Sequence, residues 1–342
     1  MDSISSRQIN QTDTYDYYYY VYIDYFFNDE DEEDCLDCFY LRLRKAMIVS
    51  SLIFYFLTLI LGVPGNAFVL YVAGMKMKRT VNTVGFINLA IADLFCCLST
   101  LYYVTESFFE ENSPYGSIFM CDILPFIMLI TMFVSVFTLS LISLDRFTQV
   151  MTPVWAKNHR SLVIARLSSV ATWVLALVLS LPFMLRKTPK DDTNYCLIHT
   201  FEKSLSFIIF VLGFLIPLIC ITTCYGFIAY KLGRSQFHSG RAFHIMLALI
   251  VAFFLCWMPY HIMHLVILYS EKSSVLVALA VNPLSISLAY VNSCLNPILY
   301  VFMGHDFKSN AKLSLRHVFE RVFSDEGTQT SRSLQTQQTD SV

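Results

Sequence analysis

Charged residues are scarce in this chain of 342 residues, since Asp, Glu, Lys and Arg together make up 15% of it. A soluble globular domain carries roughly 25% charged residues. The charges that are present cluster near the two ends and in short gaps, which leaves long apolar stretches between them. This distribution excludes an ordinary soluble domain and predicts a protein embedded in a lipid bilayer.

The sequence also lacks the marks of a membrane enzyme or a transporter. An enzyme needs a base beside a nucleophile, or a cluster of metal ligands, and the scattered histidines supply neither. A transporter would show inverted repeats with matching broken helices, and the sequence shows none. The chain begins without a short apolar core followed by a small-residue cleavage site, so we expect no removable signal peptide.

Seven stretches are apolar over the length of about 20 residues that a membrane-spanning helix needs. They lie at about 46–73, 82–104, 118–144, 165–185, 205–230, 242–269 and 275–303. We therefore predict an all-α membrane protein with a seven-transmembrane helix bundle. The predicted parts are an acidic, tyrosine-rich, disordered tail (1–42), the bundle (43–303), a short amphipathic eighth helix on the membrane surface (304–322) and a polar Ser/Thr-rich tail (323–342).

The gaps between the apolar segments alternate in charge. Basic residues follow the first, third, fifth and seventh segments, whereas the other gaps carry mainly acidic residues. Because positive charge stays on the cytosolic side, we expect a multi-pass plasma-membrane protein with an extracellular amino terminus. One basic cluster, Arg42, Arg44 and Lys45, stands on the predicted outer side, against four basic gaps on the other side.

Asp93 stands in the middle of the second segment, where an ionisable residue is expensive and marks a candidate functional site. A buried carboxylate needs a proton, a cation or several hydrogen-bond donors. If the second, third and seventh segments meet, they form a candidate sodium site from Asp93, Ser135, Asn292, Ser293 and Asn296. Oxygen ligands of this kind suit a small hard cation. The alternative is a purely structural hydrogen-bond network, and no cofactor besides the sodium ion is predicted.

Two further groups inside the segments indicate a bundle that changes shape. At the predicted cytosolic end, the candidate coupling residues are Asp145, Arg146, Tyr225 and Tyr300. The Arg146 guanidinium can pair with a neighbouring carboxylate or bind elsewhere. Nearer the middle, the candidate switch residues are Phe253, Trp257, Pro217, Pro259 and Pro297. Each proline removes a backbone hydrogen bond and weakens its helix locally; ordinary packing or surface anchoring is the simpler alternative for both groups.

Several cysteines and a sequon suit an extracellular face. Cys121 and Cys196 both lie on the predicted oxidising side, where a disulfide persists, and we predict that they bond to each other. For Cys35 and Cys38 two pairings are possible: a local disulfide between them, or a disulfide from the tail to an outer loop. Asn10 begins a glycosylation sequon.

The amino-terminal tail combines tyrosines with acidic residues, including the run 29–34. A flexible acidic segment attracts a basic partner over a Debye length of about 8 Å, although the tail could also serve only to keep the protein soluble. Candidate sulfation sites are Tyr15, Tyr17, Tyr18, Tyr22 and Tyr25. In the carboxy-terminal tail the candidate phosphorylation sites are Ser324, Thr328, Thr330, Ser331, Ser333, Thr336 and Thr339.

The order of these motifs resembles that of rhodopsin-like G-protein-coupled receptors over about 60–310. The resemblance is carried by Gly65-Asn66, Leu89-Ala90-Ile91-Ala92-Asp93, Asp145-Arg146-Phe147, Trp173, Cys256-Trp257-Met258-Pro259 and Asn296-Pro297-Ile298-Leu299-Tyr300. Within that superfamily, 76–83, 153–160 and 292–307 are similar to the chemoattractant group, which contains formyl-peptide, chemerin and complement anaphylatoxin receptors.

The resemblance implies a receptor without catalytic activity that binds a secreted basic protein or peptide and acts in chemotaxis and inflammation. Its implied cytosolic partners are an inhibitory heterotrimeric G protein, arrestin and receptor kinases. The residues expected to contact the ligand are Tyr102, Tyr103, Arg186, His264, Tyr269, Asn282 and Tyr290. A light receptor is disfavoured, because Tyr290 stands where that class carries its Schiff-base lysine.

Three departures from the family pattern bear on the ligand. Leu129, Ile209 and Asn282 stand where formyl-peptide or anaphylatoxin receptors are expected to carry charged side chains. Because an unpaired charge on a bound ligand is costly to bury, these departures argue against a ligand that ends in arginine. The stretch 283–289, the segment 253–261 and the acidic tyrosine-rich tail look most like those of chemerin receptors, so we rank a chemerin-type receptor first and an anaphylatoxin receptor second. A non-signalling scavenger of the same fold is disfavoured, because Asp145 and Arg146 are both intact.

Overall fold

A computed structural model describes residues 36–106, 123–185, 203–233, 241–270 and 272–303. These ranges form helices joined by short turns and contain no strand. Seven helices are long and apolar enough to cross a membrane, which confirms the predicted fold class. We name them spans 1 to 7: Arg42–Lys76, Val81–Thr105, Leu124–Met151, Leu162–Pro182, Ser204–Lys231, Leu247–Tyr269 and Ser274–Ile298.

The complete helices extend beyond these apolar cores. Span 1 combines the α-helices Leu36–Leu57 and Val63–Tyr71 with π-helical turns at Thr58–Gly62 and Val72–Lys76. Span 5 combines Lys203–Phe210 and Ile216–Gly233 with a π-helical turn at Val211–Leu215. The other helices are Val81–Glu106, Leu124–Met151, Pro153–His159, Leu162–Met184, Arg241–Tyr269 and Lys272–Met303.

Two boundaries differ from the sequence prediction. The first helix begins at Leu36, inside the range predicted as a tail. The third helix continues to Met151 instead of ending near residue 144, so Asp145 and Arg146 lie within it. Hydropathy marks where apolar side chains stop, whereas backbone hydrogen bonding carries a helix on into the polar interface. The surface helix predicted at 304–322 lies outside the described residues.

Span 3 lies at the centre of the bundle and packs against spans 2, 4, 5 and 6, while span 7 packs against spans 1, 2 and 6. The largest fully buried side chains, among them Phe133, Phe253 and Tyr290, fill the space between these helices. Span 4 is the least buried helix and exposes residues such as Val163, Val170 and Val178. In a membrane protein this apolar surface faces lipid, where helices keep their backbone hydrogen bonds internal.

Small residues allow span 1 to approach its neighbours closely. A Cβ atom added at Gly62 would collide with Cys97 Sγ of span 2, and one added at Gly65 would lie 2.9 Å from Pro297 Cβ of span 7. This close contact positions Asn66, the next residue, against the polar centre of the bundle.

Candidate functional site

Asp93 is the centre of a buried polar cluster between spans 2 and 7. Asn296 Nδ2 donates a hydrogen bond to Asp93 Oδ2 over 2.6 Å, and the Ser293 side chain lies within hydrogen-bonding reach of the same carboxylate. Asp93 is 1% exposed and Asn296 is 5% exposed. The structure therefore brings together residues that stand 203 positions apart in the chain, as the sequence predicted.

The remaining members of the predicted sodium site are also buried. Ser135 of span 3 and Asn292 of span 7 are each 3% exposed, and Asn292 Oδ1 accepts no hydrogen bond from the described residues. Asn66 of span 1 donates from Nδ2 to the Ser293 carbonyl oxygen over 2.8 Å and to the Gly62 carbonyl oxygen over 3.0 Å. The Asn66 amide thus joins span 1 to span 7, and the Asn296 amide joins span 7 to span 2, both close to Pro297.

A second buried polar contact was missed by the sequence reasoning. Asn88 Nδ2 of span 2 donates to Thr138 Oγ1 of span 3 over 2.6 Å, and Trp173 Nε1 of span 4 donates to Asn88 Oδ1 over 2.8 Å. The signal was present as an amide side chain inside an apolar segment. Its partners belong to two other helices, so only the packing of the three spans reveals that all of its polar atoms are used.

Asp145, near the carboxy-terminal end of span 3, binds residues other than Arg146. Arg160 donates from Nε to Asp145 Oδ1 over 2.9 Å and from Nη2 to Oδ2 over 3.2 Å. Gln149 Nε2 donates to Oδ2 over 2.6 Å. The sequence analysis allowed Arg146 to pair with a neighbouring carboxylate; in the structure that carboxylate receives its hydrogen bonds from Arg160 and Gln149. We call this side of the bundle the Arg146 end.

Arg146 itself faces the space between spans 3 and 5. Its Nε atom is buried and has no hydrogen-bond partner among the described residues. Tyr225 of span 5 is buried beside Ser143 and Arg146, so two of the predicted coupling residues do meet. Lys231 Nζ donates to the Val150 carbonyl oxygen over 2.6 Å and ties span 5 to span 3 at this end. Tyr300 lies in the last helix, but its side chain is outside the described residues.

An aromatic column surrounds Trp257 in the middle of span 6. The Trp257 ring lies 6.0 Å from Phe253, 5.6 Å from Tyr260 and 6.3 Å from His261, measured between ring centroids. His261 in turn contacts Phe214 of span 5 at 4.9 Å. The column links the side chains of spans 5 and 6 over two turns, as expected for a switch and equally for core packing.

The three predicted pivot prolines occupy different positions in their helices. Pro259 and Pro297 lie inside continuous helices, where each removes a backbone hydrogen bond. Pro217 is the second residue of Ile216–Gly233 and stands two residues after the end of the π-helical turn Val211–Leu215. The irregularity of span 5 therefore lies one turn before its proline, in the part of the helix that faces the aromatic column.

A cleft opens between spans 5 and 6 at the end of the bundle opposite Arg146. Its lining comprises Leu205, Ser206, Ile209, Phe210, Tyr260, His261, His264 and Leu265. His264 was predicted to contact ligand and does line this cleft. His261 was missed, although it is 3% exposed and its Nε2 atom has no hydrogen-bond partner among the described residues.

The other predicted ligand residues are not all accessible. Tyr290 is completely buried beneath Tyr55 and Tyr103, whose rings stack at 4.7 Å and cover it at 5.7 and 5.8 Å. The contact of Tyr290 with a ligand stays a prediction; in this structure Tyr55 of span 1, which the sequence analysis left out, and Tyr103 of span 2 cover its side chain. Asn282 is 6% exposed and accepts a hydrogen bond from Ser285 Oγ over 3.1 Å, while Tyr102 is half-buried and Tyr269 is 57% exposed.

Several predicted sites lie outside the described residues. They are Arg186, the disulfide pair Cys121 and Cys196, the sequon at Asn10, the sulfation sites in the amino-terminal tail and the phosphorylation sites in the carboxy-terminal tail.

Seven apolar helices around a buried carboxylate, with an arginine near one end and a cleft at the other, define a membrane receptor of the helix-bundle class. Residues 65–300 match the family described as "7 transmembrane receptor (rhodopsin family)". The chain belongs to this family and is a multi-pass plasma-membrane receptor, not an enzyme.

Individual relatives narrow the group. The chain is 62% identical to the C3a anaphylatoxin chemotactic receptor of Danio rerio over 301 residues, which cover 86% of this chain and 83% of the relative. It is 35% identical to C5a anaphylatoxin chemotactic receptor 1 of Oryctolagus cuniculus, covering 88% and 89%. It is 36% identical to formyl peptide receptor 2 of Mus musculus, covering 85% and 90%. These likenesses confirm the chemoattractant group.

The likenesses do not support the ranking that placed a chemerin-type receptor first; the anaphylatoxin alternative fits better. The ranking rested on Leu129, Ile209 and Asn282 and on the resemblance of 253–261, 283–289 and the acidic tail to chemerin receptors. Side chains that line a ligand cavity can change while the scaffold around them stays the same, so three positions carry less information than the whole bundle.

Proposed function

We propose that this protein is a signalling receptor for a complement anaphylatoxin of the C3a type. The observation that carries the proposal is the 62% identity to a C3a anaphylatoxin chemotactic receptor across 86% of this chain. The basic gaps at the Arg146 end support an extracellular amino terminus and a cytosolic Arg146 end. The acidic tyrosine-rich tail would then meet a basic ligand first and raise its rate of encounter.

The terminal segment of the ligand would contact the bundle at the cleft between spans 5 and 6, which has a volume of about 10 Å³ in this structure and would have to widen to admit a side chain. His261 and His264 offer polar atoms there in an otherwise largely apolar lining, which is the usual composition of a ligand site. Ile209 and Asn282, each 6% exposed, provide no charge for an ion pair with a terminal arginine of the ligand. We therefore expect removal of that arginine to weaken binding by less than roughly tenfold, since breaking a buried ion pair would cost far more.

A sodium ion would bind at Asp93. The donor set suits it, because the Asp93 carboxylate, the Ser135 and Ser293 hydroxyls and the unpartnered Asn292 Oδ1 are all oxygen ligands within the buried centre. The ion would neutralise the carboxylate and join spans 2, 3 and 7 in the quiet state. Movement of span 7 at its proline would disrupt that arrangement.

On activation, span 6 would move outward at the Arg146 end, as expected when a ligand favours one of two pre-existing arrangements. Contacts of the ligand with His261 would act on the Trp257 column, and Arg146 with Tyr225 would line the opening that receives an inhibitory G protein. The carboxy-terminal tail, phosphorylated by receptor kinases, would then recruit arrestin through its added negative charge.

The test is to express the chain in cells without endogenous chemoattractant receptors and to apply C3a, C5a and chemerin separately. We expect C3a to suppress cyclic AMP and the suppression to disappear when inhibitory G proteins are inactivated. Arg146→Ala should abolish the signal and retain the binding of labelled C3a. A response to chemerin alone would refute the ligand assignment, and binding with arrestin recruitment but no G-protein signal would favour the scavenger.

A further inference from the structure

Arg160 connects three parts of the bundle at the Arg146 end. It directly follows the short helix Pro153–His159 and caps that helix by donating its backbone N–H to the Ala156 carbonyl oxygen over 2.9 Å. Its guanidinium donates from Nε and Nη2 to the two oxygens of Asp145 and from Nη2 to Asn82 Oδ1 over 3.0 Å. One side chain thus binds the loop to both span 2 and span 3.

The Asp145 carboxylate is well supplied with donors in this arrangement. The guanidinium of Arg160 engages both oxygens in the planar fork geometry that gives the stronger charge-assisted hydrogen bonds. Gln149 adds a third donor at 2.6 Å. The Asp145 side chain is 19% exposed and that of Arg160 is 30% exposed, so solvent screens the pair only in part.

Arg146 interacts electrostatically with both Asp145 and Arg160. It is attracted by Asp145 and repelled by Arg160, and it also interacts with Tyr225. Asp145 is bound by Arg160, and Arg146 Nε has no hydrogen-bond partner among the described residues. If Arg160 lost its charge, Arg146 would be the neighbouring cation left to Asp145.

We propose that Arg160 is a positioning residue for G-protein coupling: it binds the Asp145 carboxylate and thereby leaves Arg146 available to the transducer. The inference rests on the proposed coupling function. It states that the loop before span 4, through Arg160, controls whether Arg146 is available to the G protein. If Arg160 only held the loop against Asn82, the prediction would differ. Removing the Asp145 carboxylate would then not restore the coupling that is lost when Arg160 is replaced.

The test measures ligand-free nucleotide exchange on a purified inhibitory G protein by receptor in lipid nanodiscs, at equal amounts of folded receptor. We expect R160Q to lower exchange by about three- to tenfold, the size expected for one partly screened ion pair. D145N should match or exceed the wild type, and R160Q/D145N should match D145N, because no carboxylate then remains to capture Arg146. R160K, which keeps the charge but loses the fork, should lie between R160Q and the wild type.

R166Q is the matched control, because Arg166 is an exposed arginine in the first turns of span 4, six residues after Arg160. It should leave exchange unchanged. Exchange by R160Q at the wild-type level would overturn the proposal, and so would a double variant as impaired as R160Q. Exchange by the wild type no higher than that of empty nanodiscs would instead refute the proposed coupling itself.

Thermal unfolding of the wild type, R160Q, D145N and R160Q/D145N without G protein provides an independent measurement. R160Q and D145N should each lower the melting temperature by about 1–3 °C, and the double variant should lower it by less than the sum. Additive effects would show that the two side chains do not interact, and the proposal would then fail whatever the state of the G-protein assay.

Discussion

The cluster around Asp93 allows a quantitative test of the sodium site. In the structure the carboxylate is 1% exposed and accepts an amide hydrogen bond from Asn296 at 2.6 Å, with the Ser293 side chain also within reach, so neutral donors compensate its charge only in part. A cation that binds only the folded receptor stabilises it by RT ln(1 + [L]/Kd), which is about 1.4 kcal/mol when sodium is tenfold above its dissociation constant. For a helix bundle of this size that corresponds to a rise of roughly 3–5 °C in melting temperature.

The assay is thermal unfolding of detergent-solubilised receptor in sodium chloride and in choline chloride at the same ionic strength. The wild type should melt higher in sodium. Asp93→Asn should melt at one temperature in both salts, and in choline it should be at least as stable as the wild type, because it no longer buries an uncompensated charge. Equal melting of the wild type in the two salts, or a sodium effect that survives in Asp93→Asn, would refute the reasoning.

The same assay separates the hydrogen bond from the charge. Asn296→Ala keeps the carboxylate but removes its donor, which should cost about 1–2 kcal/mol, since interhelical hydrogen bonds in membranes contribute less than buried charged ones in water-soluble proteins. This variant should therefore melt lower in choline and retain a rise in sodium.

Two further predictions concern the bundle and the cleft. Gly65→Val should lower surface expression and destabilise the purified receptor by about 1–3 kcal/mol, because a Cβ there lies 2.9 Å from Pro297 Cβ of span 7. Gly74→Val is the control for the loss of a glycine, because a Cβ at Gly74 would have nothing within 4 Å. Equal losses of stability in the two variants would contradict the packing argument. His261→Ala should reduce the potency of C3a in the cyclic-AMP assay by about tenfold, because a polar contact in the cleft is lost. Ile262→Ala is the control, because Ile262 is 43% exposed on the lipid-facing side, and it should leave the potency unchanged. Equal potencies for both variants would remove His261 from the ligand site.

The polar residues inside apolar segments were the most informative part of the sequence. Asp93 and Asn296 were expected to meet and do so, because both are too costly to leave facing lipid and must turn toward the interior of the bundle. The same reasoning would have found Asn88, which lies in the same segment. It could not have named Thr138 and Trp173 as the partners of Asn88, because these depend on which helices are neighbours.

The partner of Asp145 was beyond sequence reasoning. Arg146 is adjacent in the chain, yet in this structure it lies beside Tyr225 of span 5, while Asp145 is bound by Arg160 and Gln149. The loop helix Pro153–His159 brings Arg160 back beneath span 3 instead, fifteen positions further along. Similarly, Tyr290 was expected to contact the ligand, and nothing in the sequence shows that Tyr55 of span 1 lies against it in this structure.

The sequence by itself determined the number of membrane-spanning helices, the receptor family and the buried position of its polar residues. The physical reason is that lipid offers no hydrogen bonds, so the length of each apolar run and the cost of each polar exception are local properties of the chain. Only the tertiary structure decided which donor meets which acceptor and which residues line the cleft. Those outcomes depend on helix rotation and on close approach at positions such as Gly62 and Gly65, where a difference of one ångström decides whether a contact forms.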